Sequence, residues 1–180
     1  MKLKNLSRWL ILLGLFASSL AQAASKAEID AEVQSTLTAF YSLETGNKEL
    51  ASRAAGVLVF PSIIKAGFLV GGDYGEGVLQ VGGKIVDYYS TASISFGLQA
   101  GAQSRSEVIL FMDRGALENF QMHDGWSAGL DGSVAVLDSG TGKGIGTETV
   151  KDSIVAFIFS NKGLMGNLSL EGSKFSKIYR

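Results

Sequence analysis

Between Ala55 and Gly83 the chain reads AGVLVFPSIIKAGFLVGGDYGEGVLQVGG, a stretch with the only proline and eight of the 23 glycines of the sequence. The residues between those glycines are mostly Val, Leu, Ile and Phe. A flexible linker would pair glycine with serine and other polar residues. Glycine among apolar side chains instead permits tight backbone approach, bulges and positive φ within packed structure. This stretch commits the chain to a built sheet with close strand contacts, and the remaining segments have to cover it.

Residues Met1 to Ala23 read as a secretory signal peptide. Lys2, Lys4 and Arg8 form a basic n-region, Trp9–Phe16 an apolar h-region, and Ala21-Gln22-Ala23 a small-x-small cleavage site. The apolar run is well short of the ~20 residues that span a bilayer. No twin-arginine pair is present, and no cysteine stands near the cleavage site for lipidation. Cleavage after Ala23 removes three of the 16 basic residues, leaving 13 against 17 acidic ones, a net charge of −4. That balance argues against a nucleic-acid partner, which calls for a basic surface. Removing 23 of 180 residues leaves 157, the size of one domain with its own core. Without any cysteine in the chain, neither disulfide staples nor thiol chemistry is available.

An amphipathic helix is expected over Ser25–Leu43, with Ser25 and Glu28 as a capping box and Ile29, Val33, Leu37, Phe40 and Tyr41 on one face. Its polar face carries Glu28, Asp30, Glu32 and Glu44 against Lys26, the opposite of the Lys/Arg-rich face of an interfacial helix, so it is read as packing on the sheet. A second short helix, Lys48–Ala55, would be capped by Asn47, and Pro61 would open a third over Ser62–Ala66. Strands follow at Phe68–Gly71, Val78–Val81, Ile85–Tyr89 and Ala92–Gln99, with glycine turns between them. In the last of these the alternation of Ala92, Ile94, Phe96 and Leu98 with Ser93, Ser95 and Gly97 has the period of a half-buried strand. Val108–Met112 is a further strand, Asp113 caps a helix over Arg114–Gln121, and Trp126–Leu137 returns to strand. Val150–Phe159 and Leu164–Leu170 form a hairpin around Asn161-Lys162-Gly163. The connections are too short for crossover helices, which makes the sheet mostly antiparallel.

No catalytic constellation survives inspection. Gly125-Trp126-Ser127-Ala128-Gly129 matches G-x-S-x-G, but a nucleophile elbow needs a core strand before it and an acid and a histidine after it. The sole histidine, His123, lies upstream. The loop Gly140-Thr141-Gly142-Lys143-Gly144 fails the spacing of a phosphate-binding loop. One histidine and scattered carboxylates leave no transition-metal or EF-hand site. What remains is a basic set at the C-terminus, Lys174, Lys177 and Arg180, joined by Lys162 and by Lys65 or Arg105, a local cluster suited to lipid phosphates on an otherwise acidic protein.

Four blocks in this order resemble the SYLF domain family: AAGVLVFPSIIKAGFLVGGDYGEGVL, SFGLQAGAQSRSEVILFM, GWSAGLDGSVAV and IVAFIFSNKGLMGNLSLEGSKF. They span roughly Ala51 to Ile178, and the blocks Gly97–Gln103 and Ser160–Gly172 are the most specific. The resemblance implies lipid binding. Eukaryotic relatives bind phosphoinositides, some also bind actin filaments, and bacterial relatives are exported. For an exported bacterial chain, phospholipid in general is the implied ligand.

The expected fold is α+β, with N-terminal helices packed on a strongly curved, mostly antiparallel sheet whose closure into a barrel is left open. Residues 1–23 are the expected signal peptide and 24–180 a single SYLF-like domain. The expected function is non-enzymatic phospholipid binding in the periplasm or cell envelope, peripheral to a membrane, with no cofactor or metal. Lys162, Lys174, Lys177 and Arg180 would meet phosphates, and Phe68 and Trp126 apolar lipid. The alternative is an envelope interaction module that binds a protein partner.

Overall fold

The computed structural model describes residues 25–67, 70–96, 103–137, 152–160, 163–164 and 169–180. The expected signal peptide, the loop of residues 139–146, Phe68 and Lys162 lie outside them. Helix α1 spans Lys26–Leu43 and α2 Asn47–Arg53. Strands β1 (Gly56–Gly67), β2 (Val70–Val81), β3 (Lys84–Phe96) and β4 (Gln103–Phe111) follow, then helix α3 (Arg114–Met122). Strands β5 (Trp126–Ser127), β6 (Ala135–Leu137), β7 (Ile154–Ser160), β8 (Gly163–Leu164) and β9 (Lys174–Ile178) complete the described chain.

Among the described residues all nine strands belong to one sheet, in the order β5-β9-β3-β2-β1-β4-β7-β6, with β8 attached to β7. Every pairing is antiparallel except β6 with β7. The fold is the expected α+β arrangement. The sheet is a half-barrel, and its described edge strands β5 and β6 are not hydrogen-bonded to each other. Its curvature can be read from two rings. Phe60 on β1 and Phe175 on β9 are three strands apart, which in a flat sheet means about 14 Å, yet their centroids are 5.7 Å apart. The sheet bends toward the face that carries them.

The concave face holds Leu58, Phe60, Ile63, Leu79, Ile109, Phe111, Trp126 and Phe175, closed over by Leu117 and Phe120 of α3. The convex face holds Val59, Val78, Tyr88, Val108, Phe157 and Phe159, covered by Ile29, Val33, Leu37 and Phe40 of α1 and Leu50 of α2. The capping box is present: Glu28 N donates to Ser25 Oγ, and Ser25 N to a Glu28 carboxylate oxygen. Tyr88 Oη donates to Asp30 Oδ1 at 2.7 Å and fixes the start of α1 against β3. Burial and this bond push the tyrosine pKa up to about 12. Asp113 caps α3 as expected, accepting from Ala116 N.

Three local expectations are corrected. Gly46, not Asn47, is the N-cap of α2; Asn47 is buried and its Nδ2 donates to Phe40 O, tying the two helices together. No helix follows Pro61. The proline sits inside β1 at a register shift between Val59 and Ser62, where a missing N–H is tolerated, and its carbonyl accepts from Ser106 Oγ. The glycines of Gly71–Gly77 do not form turns either. They run through β2 as strand, and a Cβ at Gly77 would stand 2.0 Å from Val59 O, so the bulged β1 can approach only because none is there. Gly82 and Gly83, with φ of 58° and 76°, do make the expected β2–β3 turn.

Candidate functional site

The convex face changes character in three successive rows. In the first, Val59, Val78, Tyr88 and Ile178 are aligned across β1, β2, β3 and β9 beneath α1. In the second, Ser62, Glu76, Ser90 and Ser176 are aligned, a polar border. In the third, Ser104, Ile64, Tyr74, Ala92, Lys174 and Ser127 run in register across β4, β1, β2, β3, β9 and β5. Here no helix of the described residues covers the sheet: Ile64 is 52% exposed, Tyr74 53%, and Ile94, one row further on, 73%. Lys174 is exposed at the end of the same row, and none of the described ion pairs involves it.

On the concave side of these same strands stand the charges. Arg105 Nη1 donates to Asp73 Oδ2 at 2.9 Å and Arg105 Nε to Glu107 Oε1 at 3.0 Å. Glu107 is 1% exposed, and its Oε2 has no hydrogen-bond partner among the described residues. Burial pushes the Glu107 carboxyl above the usual glutamate range, and the guanidinium only partly opposes this. For Arg105 burial disfavours the charge, but Glu107 and Asp73 more than offset it and the pKa rises. Thr91 is buried on this side too. The period-two pattern of Ala92–Ile94 was thus correct and its polarity reversed: the alternate residue Thr91 faces in, and Ala92 and Ile94 face solvent.

The expected basic cluster is divided by the strand that holds it. Lys177 Nζ bonds Asp87 Oδ1 at 2.6 Å, and this contact holds the ammonium above the usual lysine range. Arg180 is paired with Glu76. Each of these cations is neutralised locally, whereas Lys174 at the other end of β9 and Lys65 beside Ile64 on β1 are in none of the described ion pairs. Trp126 is not a surface ring. It is 2% exposed, packs against Phe120 and Phe175, and donates from Nε1 to Asn119 Oδ1 at 3.0 Å. An indole facing the curved side of the sheet is drawn into the aromatic cluster there. Sequence reasoning missed Ile64, Tyr74 and Ile94; the signal was apolar residues beside polar ones at Ile64-Lys65, Asp73-Tyr74 and Ser93-Ile94.

The backbone N of Ser127 donates to Asp131 Oδ2, and His123 Nδ1 is engaged with Asn119 O. No group of three or more His, Cys, Asp or Glu side chains is gathered for a metal among the described residues. No helix of the described residues is long and apolar enough to cross a membrane.

Residues 92–178 match the family model Ysc84, described as "Las17-binding protein actin regulator". The matched span runs from mid-β3 to the end of β9 and takes in Ala92, Ile94, Arg105, Glu107 and Lys174. No curated protein matches the chain.

Proposed function

We propose that this chain, whose residues 92–178 match the Ysc84 family model, is a non-enzymatic phospholipid-binding protein of the bacterial cell envelope. The family is known for lipid binding and actin regulation through binding domains rather than catalysis. In this reading the protein is exported, loses residues 1–23, and meets anionic lipid from the periplasmic side. The observation that supports it is the alignment of exposed Lys174 with the uncovered Ile64–Tyr74–Ala92 row. A cation beside half-exposed apolar and aromatic side chains suits a lipid surface, where phosphate and acyl chain lie within a few ångströms of each other. Lys177 and Arg180 contribute only as far as lipid phosphate displaces Asp87 and Glu76.

Co-sedimentation of the exported protein with neutral and with anionic vesicles, at two ionic strengths, tests this reading. Binding to anionic vesicles that weakens with salt, and is lost when Lys174, Lys177 and Arg180 are all reversed in charge, is the expected result. Binding to neither vesicle overturns it in favour of an envelope module for a protein partner, the other half of the family's description.

A further inference from the structure

The strand ends that carry Ile64, Tyr74 and Ile94 show large side chains on a face that a water-soluble sheet keeps polar. Where a half-barrel stands in water, apolar residues are expected on the packed side and polar ones on the bare side. Under α1 this chain obeys that rule. Beyond the Ser62–Glu76–Ser90–Ser176 row the bare side departs from it. Ile64, Tyr74 and Ile94 face outward beside polar Ser104 and Lys174, with no helix of the described residues over them, while the concave row behind them runs Arg105, Ile63, Gly75, Thr91, Phe175 and Trp126 in register, polar at some positions and apolar at others. Large aliphatic side chains on the bare face of a sheet suit an apolar contact rather than water.

We propose that this end of the half-barrel dips into the interfacial layer of a phospholipid bilayer, with Ile64 and Ile94 among the acyl chains and Tyr74, whose hydroxyl donates to Glu76 of the polar row at 2.8 Å, at the headgroup level. Two further observations favour lipid over a protein as the occupant. Arg105 is bound to Asp73 and Glu107, so these three charges need no new partner in a low-dielectric layer, and Lys65, opposite Asp73 in register, has a four-carbon stem on which its ammonium can reach the phosphates. The exposed cation of the row, Lys174, lies two strands from Tyr74 at its edge, where its four-carbon stem lets the ammonium rise to the phosphates. The polar serine row then marks the level at which the sheet leaves the lipid and α1 begins to cover it. This inference rests on the lipid reading and adds the face and the direction of insertion.

Tryptophan placed at Ile94 reports on it. Ile94 is largely exposed, so the substitution leaves the core alone, and Trp126 is buried and supplies a constant background. The control is Val86→Trp, exposed on the same strand eight residues away, about 26 Å along β3. With vesicles of mixed anionic and zwitterionic phospholipid, Ile94→Trp emission shifts to the blue and is quenched by acyl-brominated lipid, and Val86→Trp emission does neither. Ile64→Asp and Ile94→Asp each weaken vesicle affinity about tenfold, the effect of withholding part of one apolar side chain from lipid. Protein that pellets with vesicles while Ile94→Trp stays unquenched overturns the insertion and leaves the lipid reading intact. Failure to pellet with any vesicle overturns both. A blue shift that grows with protein concentration in the absence of lipid assigns the face to a second copy of the chain and overturns the insertion.

Discussion

Arg105 on β4 binds Asp73 on β2 although β1 lies between them; the side chain spans the concave face of β1 to make a 2.9 Å contact. With its second bond to Glu107, this guanidinium cross-links strands that share no backbone hydrogen bonds. Arg105→Ala leaves Glu107 buried without its partner, a loss of the order of 3–5 kcal/mol when one member of a buried pair is removed. Glu107→Gln keeps an acceptor for Arg105 Nε and abolishes the buried charge, so its cost is expected below about 1 kcal/mol. Urea unfolding midpoints of the two variants check the order, and equal losses would refute this account of the network.

Protonation should act on the same site with a definite sign. The carboxyl of Glu107 is raised in the fold, so in the range above the ordinary glutamate pKa of about 4.3 the folded state holds a proton that the unfolded chain releases. Its contribution is fully present below that pH and is lost as pH rises through the folded value. The stability of the wild type relative to Glu107→Gln therefore falls on going from pH 4 toward neutrality. Asp113, whose carboxyl is lowered chiefly by its bond to Ser153 and then by the cap to Ala116 N, works in the opposite sense: its help to α3 is lost on acidification. Thermal midpoints of wild type, Glu107→Gln and Asp113→Asn across pH separate the two.

Glycine in β2 is expected to be indispensable at one position, Gly77, and replaceable at another, Gly72, on the same strand. A Cβ at Gly77 meets the Val59 carbonyl at 2.0 Å, and backbone on one side of a bulge cannot yield cheaply. At Gly72 a Cβ's nearest neighbour is Ser93 O at 3.8 Å, an ordinary contact. Gly77→Ala should cost about 3 kcal/mol, the upper end of the range for overpacking, and Gly72→Ala should stay within about 0.5 kcal/mol, as for surface changes. Denaturant unfolding of both variants decides it.

That contrast also shows what the sequence makes legible. Glycine among apolar residues correctly announced a curved sheet with close strand approach, and the Ser25–Glu28 box, the Asp113 cap and the Gly82–Gly83 turn were readable because each is chemistry between near neighbours. The bulge at Pro61 and the continuity of β2 through its glycines were not, because both depend on what β1 and β4 present across the sheet. The candidate site was legible only in part. Lys174 was named from composition, but that Asp87 and Glu76 would claim Lys177 and Arg180 is a matter of register between β9, β3 and β2. Period two predicted the strand at Ala92–Ile94; nothing local says which face the helices will cover.

Asn119 offers a test of the Trp126 assignment. If the indole is a core ring held by one hydrogen bond, Asn119→Ala strands a buried N–H and costs about 1–3 kcal/mol. Trp126→Phe keeps most of the packing against Phe120 and Phe175 and gives up that bond along with it, so the double variant should cost little more than Trp126→Phe alone. Vesicle affinity per folded molecule should be unchanged in all three. A loss of lipid binding confined to the Trp126 variants would restore the ring to the surface role expected from sequence.

The last prediction separates cations that composition alone treats as equal. Each lysine near an anionic surface is worth about 1 kcal/mol, or roughly fivefold in affinity, but only in so far as its field is not cancelled nearby. Lys174 is exposed beside the apolar row, whereas Lys177 lies 2.6 Å from Asp87 and Arg180 is bound to Glu76. Lys174→Ala should therefore weaken binding to anionic vesicles by about fivefold at low salt, and the difference should shrink as salt is added. Lys177→Ala alone unmasks the Asp87 carboxylate and should also weaken binding, whereas Lys177→Ala combined with Asp87→Ala should return to the wild-type value, because the pair as a whole presents no net charge. Affinities of these three variants, measured on one vesicle composition at two ionic strengths, are sufficient. A loss for the double variant as large as that for Lys174→Ala would mean that the membrane breaks the Asp87 contact, and would return the whole of β9 to the binding surface.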